Sequence, residues 1–214
     1  MNGLPQTLSN PLQVLLLLTA LALLPAFFMT VTPFLRIITV LHFLRQALGT
    51  QTAPSNQVLI GMALLLSLAV MRPVVDEIHD NAYLGFQQGK LTSEQALDRA
   101  GEPLARFLRR FAREKDVALM MEISKTPPVR SPEQLGLGIL MPAYVLSELK
   151  TSFQIGAVLF LPFLVIDLVV ASVTLTVGMV QLPPVMLSAP LKILLFVMVD
   201  GWNLVVGSLV RSFQ

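Results

Sequence analysis

The chain has 214 residues, 54% of them hydrophobic and only 13% charged, with a formal net charge of +2 and no cysteine. That composition departs from a soluble globular domain toward a multi-span membrane protein, and the near balance of charge argues against a nucleic-acid partner. The missing cysteines exclude a disulfide framework, thiolate metal sites and cysteine nucleophiles. Of the 28 charged residues, 22 fall between Arg72 and Lys150, as eleven acids and eleven bases, so two apolar regions enclose one polar insert. The expected organisation is an N-terminal apolar region (1–71), a polar helical insert (72–150) and a C-terminal apolar hairpin (151–214).

The first apolar run, Leu12 to Val31, is 20 residues long, enough to cross a hydrocarbon core of about 30 Å. No basic segment precedes it and no small-residue cleavage site follows it, so it does not read as a removable signal peptide; any such leader is expected upstream of Met1. Arg36 and Arg45 flank a second, amphiphilic stretch that ends in a turn-like cluster from Gly49 to Asn56. The next run, Val58 to Met71, has 14 residues, marginal for a perpendicular span.

The insert reads as helices. Thr92-Ser93-Glu94-Gln95 has the form of a capping box, in which the threonine oxygen accepts from the backbone of Gln95 and the glutamine side chain reaches back. Pro103 is expected to open a second helix, whose Leu104, Phe107, Leu108 and Phe111 follow the spacing of one buried stripe. Arg106, Arg109, Arg110 and Arg113 lie opposite, as a solvated face paired with Glu102, Glu114 and Asp116.

After Lys150 a hairpin is expected: Thr151 to Leu182, a reversal at Pro183 and Pro184 with Pro190 nearby, then Ile193 to Val210. Arg36 and Arg45 in the first loop, and Lys192 beside the proline turn, place those ends in the cytoplasm by the positive-inside rule. The insert then lies outside.

The chain has no P-loop, no H-E-x-x-H and no G-x-S-x-G, and His42 and His79 stand far apart without acidic clusters. Metal, cofactor and serine chemistry therefore lack a signal. Asp167 and Asp200 lie in the apolar hairpin, symmetric about the proline break and so at similar expected depth. Two such carboxylates raise the reading of an aspartyl intramembrane protease, but Val165-Ile166-Asp167 and Met198-Val199-Asp200-Gly201 do not carry the Tyr-Asp and Gly-x-Gly-Asp patterns of that class. The alternative is that they hold helix or subunit contacts. Lys192 lies two positions past Pro190, near the turn, and Asp167 about 16 residues before the turn, about 24 Å along its helix, so Asp167 is expected to find its partner outside the hairpin. Asp167, Lys192, Asp200, Glu148 and Lys150 are the candidate assembly residues or buried charges. Met179, Val180 and Gln181, just before the proline break, form a candidate constriction, because methionine packs adaptably.

Four long runs, in order, resemble the FliP family of flagellar type III secretion export-gate proteins over about residues 12 to 214. They are Gln46 to Thr50 with Pro54 to Leu59; Pro142 through Gly156; Pro162 through Ser172; and Pro190-Leu191-Lys192 through Val199-Asp200-Gly201-Trp202. The resemblance implies an all-α protein whose helical hairpins assemble, above or within the bilayer plane, into a helical channel. It implies a non-enzymatic, pore-forming subunit without cofactors, five copies per gate, companion subunits FliQ and FliR, and unfolded flagellar subunits as cargo. It also implies the bacterial inner membrane with the insert in the periplasm, and a methionine-rich gasket, of which this chain keeps Met179 followed by Val180 and Gln181. The related subunit of virulence injectisomes shares the Asp-Gly-Trp tail and is the alternative; Phe153-Gln154-Ile155-Gly156 leans flagellar.

Overall fold

A computed structural model of the chain describes residues 10–127, 134–178 and 183–214, and every regular element among them is helical. The first helix, α1 (Asn10–Val31), stops where Thr32 donates its hydroxyl to the carbonyl of Phe28 (2.8 Å) and Pro33 follows, since a residue before proline disfavours helical geometry. The next helix, α2 (Phe34–Ala47), buries Ile37, Val40, Leu41 and Leu44, the spacing of a single helical face. Gly49, with φ of +76°, ends that segment in a left-handed conformation that other residues rarely adopt.

Helix α3 (Asn56–Ile78) extends well beyond the apolar run at its centre. It carries Pro73 inside and continues through Arg72, which faces Asp76 one turn on at 3.8 Å. A π-helical turn, His79–Tyr83, and the short α4 (Leu84–Gln87) prolong it, so Asn56–Gln87 forms one helical stretch of 32 residues. Val58 to Met71 is therefore the apolar first half of a longer helical stretch and not a marginal 14-residue span.

Two helices follow in the insert, α5 (Ser93–Phe111) and α6 (Glu114–Ile123). The capping box at the start of α5 forms as the sequence specifies: Gln95 N–H donates to Thr92 Oγ1 (3.3 Å) and Thr92 N–H donates to Gln95 Oε1 (3.1 Å). Pro103 does not open a second helix. It is buried within α5, whose hydrogen bonds continue past the one its ring removes.

The C-terminal region contains α7 (Leu137–Thr176, 40 residues), α8 (Pro184–Met198) and α9 (Gly201–Arg211). Helix α7 begins 14 positions before the expected Thr151 and ends six before Leu182, because Gly178 takes a left-handed φ of +77°. Pro183 and Pro184 occupy the N-cap and first helical position of α8, where a missing N–H leaves no bond unmade, whereas Pro190 lies inside that helix. The expected single second arm is two helices, bent by 66°. By length and composition Pro11–Val31, Asn56–Gln87 and Leu137–Thr176 can each cross a membrane, and α8 with α9 adds a fourth if that bent pair is one broken span.

The chain divides into two compact units, Met1–Pro33 with Met71–Glu148, and Phe34–Val70 with Leu149–Gln214. In the first, Leu104, Phe107, Leu108 and Phe111 pack as one stripe on a core of Val31, Leu135, Leu140 and Tyr144, as the periodicity of α5 predicts. The arginine face differs from expectation. Arg106 pairs with Glu77 of α3 at 2.9 Å, and Asp116 is 1% exposed, its Oδ2 accepting the hydroxyl of Ser147 at 2.7 Å. Ser147 in turn accepts the backbone N–H of Arg113 (2.9 Å), which ties the start of α6 to α7.

In the second unit Leu44, Ala47, Leu48, Phe163 and Phe196 form a core. The ring of Phe43 fills the space that a Cβ on Gly156 would occupy, and its edge meets Phe153 at 5.1 Å. Only glycine lets α7 approach α2 that closely.

Candidate functional site

The chemically distinctive site is the α7–α8 hairpin. On α8, Ser188, Lys192 and Phe196 recur every fourth residue and are all buried, so they form one stripe facing inward. On α7, Phe163 and Asp167 share a face by the same spacing. Phe163 meets Phe196 with ring centroids 6.5 Å apart, and one turn away Lys192 Nζ lies 2.6 Å from Asp167 Oδ2. Ser188 donates its hydroxyl to the other carboxylate oxygen, Oδ1, at 2.5 Å. Both oxygens of Asp167 are thus engaged by consecutive turns of α8.

This corrects the expectation that Asp167 and Lys192 cannot meet. The reversal lies between Thr176 and Pro184, so it is centred before the proline pair and not on it. Asp167 stands nine positions before the end of α7 and Lys192 eight after the start of α8, so their depths match. A carboxylate or ammonium alone at the centre of an apolar layer costs about 2.5–3.5 kcal/mol on insertion scales; placed 2.6 Å apart, each removes most of the other's penalty. The lysine side chain is 4% exposed and the aspartate 37%, so the pair is closed on the lysine side and open on the other.

Asp200 does not share that depth. It is exposed and sits beyond the end of α8, eight residues after Lys192, in a left-handed conformation (φ 51°, ψ 50°) that breaks the chain between α8 and α9. Asp167 and Asp200 are therefore not brought together; Lys192 occupies the place opposite Asp167. Glu148 is fully buried in α7, whereas Lys150 is exposed. Met179, Val180 and Gln181 lie outside the described residues. No cluster of three or more histidine, aspartate or glutamate side chains able to hold a metal occurs among the described residues.

Two of the three basic residues used for the topology expectation are also placed differently. Lys192 is buried in the hairpin, and Arg36 is 5% exposed within α2, donating to Ser212 Oγ at 3.0 Å with its guanidinium 4.0 Å from the centre of the Phe213 ring. Arg45 alone faces the loop, donating to Asn56 Oδ1 (2.7 Å) and the carbonyl of Pro54 (3.2 Å). Sequence reasoning missed Ser188 and the partners of Arg36. The i, i+4, i+8 recurrence of Ser188, Lys192 and Phe196 was the available signal for the first; the second joins residues 176 positions apart and leaves no local trace.

The model of the FliP family matches residues 17–209. The chain is 50% identical over 208 residues to the flagellar biosynthetic protein FliP of Pectobacterium carotovorum subsp. carotovorum, covering 97% of this chain and 81% of the relative. It is 46% identical over 209 residues to the FliP of Bacillus subtilis (strain 168), covering 98% and 95% respectively, and 39% identical to that of Aquifex aeolicus (strain VF5), covering 97% and 87%. The family model spans the α7–α8 hairpin and the loop that Arg45 faces, and the chain belongs to the FliP family.

Proposed function

We propose that the chain is a pore-forming subunit of the flagellar type III protein export gate, passing unfolded flagellar subunits across the bacterial inner membrane. It acts as a channel component and not as an enzyme. It works as a homo-oligomer, five copies per gate, together with FliQ and FliR, and residues 72–150 face the periplasm. Whole-chain similarity to flagellar biosynthetic proteins carries this reading.

The hairpin supplies physical support. Its outward residues Val158, Leu161, Val165 and Leu168 on α7, with Leu194 and Val197 on α8, are large, apolar and exposed in the single chain. A surface of that kind needs lipid or neighbouring subunits. The Asp167–Lys192 pair matches two charges of the hairpin to each other, so the apolar residues around it carry no unpaired charge into the assembly. Support for the orientation of the insert comes from the family resemblance and from Arg45.

The test is complementation: in a flagellated bacterium lacking its own FliP, expression of this chain restores secretion of hook protein into the medium. Assembly of the chain into the basal body without any restored secretion would refute an export role.

A further inference from the structure

We propose that α9 is a latched arm: it turns on a hinge at Val199–Asp200 and is held in its docked position by Arg36. The hinge is a sharp one. Helices α8 and α9 meet at 66°, and Asp200 adopts φ 51° and ψ 50°, a left-handed conformation that aspartate tolerates better than most residues but still at an energetic disadvantage. Gly201 follows because the ring of Phe196 lies where a Cβ would sit, and Phe196 meets Trp202 edge-on at 5.4 Å. The pivot end of α9 is thus pinned to the last turns of α8.

Between its ends α9 does not fill its seat. Leu204 and Val205 line, with Ile155, Val158 and Leu159 of α7, an open apolar groove of about 530 Å³. Val205 packs against the core of Leu44, Phe163 and Phe196, while Leu204 stays 55% exposed, so the middle of α9 is only partly seated.

The far end is where the arm is held. Arg36, on α2, reaches the end of α9 and donates to both the side chain and the carbonyl of Ser212 (3.0 and 3.4 Å), while its guanidinium covers the Phe213 ring. A cation at a helix C-terminus complements the unpaired carbonyls there, and the contact with the ring adds to it. With Arg36 5% exposed, Phe213 5% and Leu209 2%, these interactions are shielded from water and correspondingly strong. One side chain from a distant helix therefore secures the far end of α9.

The experiment is hydrogen exchange of the full chain in lipid nanodiscs, comparing the native sequence with Arg36→Gln and Arg36→Lys. Loss of a charge-assisted bond of this kind corresponds to about tenfold or more in the docking equilibrium. Arg36→Gln is therefore expected to raise exchange of residues 203–211 at least about tenfold while α2 and α7 stay unchanged, with Arg36→Lys in between because it keeps the charge. If Arg36→Gln does not fold, Ser212→Ala combined with Phe213→Leu removes the latch from the other side and is read the same way. Unchanged exchange in α9 overturns the proposal. So does an equal rise across α2, α7 and α9, which would make Arg36 a general stabiliser of the unit.

Discussion

Lys192 Nζ lies 2.6 Å from Asp167 Oδ2, and the two residues are exposed to very different extents, 4% against 37% of their side chains. That asymmetry makes the two halves of the pair unequal when one is removed. Asp167→Ala strands a buried ammonium and is expected to lower stability by about 3 kcal/mol or more. Lys192→Ala leaves a carboxylate that is partly open and still bonded to Ser188, for an expected loss of about 1–3 kcal/mol. Replacing both by leucine should recover most of the larger loss. Chemical denaturation of the detergent-solubilised single chain checks the order; equal losses would mean that water already reaches Lys192. The same geometry moves the main effect of Asp167→Ala from subunit contacts to the hairpin itself.

Gly156 admits the ring of Phe43, and that approach is what joins α7 to α2. Gly156→Ala should lower stability by about 1–3 kcal/mol, because the ring must leave its position. Phe43→Leu should recover part of the loss when combined with it, which a double-mutant cycle would register as coupling. Strictly additive effects would show that the two residues do not constrain each other.

Burial, and then the positive charge of Arg45, hold His42 below its ordinary pKa of 6.5. The folded state thus binds fewer protons here than the unfolded chain. The contribution is complete above the ordinary value and is lost as pH falls through it toward the depressed folded value. Thermal unfolding between pH 7.5 and 5 should show stability declining with acidification, and His42→Gln should flatten that slope. An unaltered slope would assign the pH dependence to other groups.

Much of this fold was legible from spacing. The capping box of Thr92 and Gln95 and the stripe from Leu104 to Phe111 both follow from local rules, because one or two turns of helix suffice to determine them. Helix extents were not legible in the same way. Prolines 73, 103 and 190 all lie inside helices, where tertiary packing outweighs the lost hydrogen bond, so reading each proline as a boundary misplaces the element. The candidate site depended on one such boundary. Taking Pro183 and Pro184 as the turn puts Asp167 and Lys192 at different depths, whereas an earlier end to α7, beside the left-handed Gly178, puts them level. The role of Arg36 required knowing that the two ends of the second unit meet.

Met179, Val180 and Gln181, which stand before Pro183 in the sequence, are proposed to line the narrowest part of the assembled pore, because methionine packs adaptably. Deleting these three residues should raise ion conductance of the resting membrane in cells that still assemble the gate. Conductance equal to that of the unaltered gate would remove them from the constriction.

The central claim is that this chain builds a channel with its own copies and with FliQ and FliR. Native mass spectrometry of the complex, extracted in mild detergent after co-expression of the three proteins, tests it most directly, because one spectrum reports both partners and copy number. The account predicts a single assembly with five copies of this chain and both companions bound. A chain recovered alone, or in an assembly lacking both companions, would contradict it.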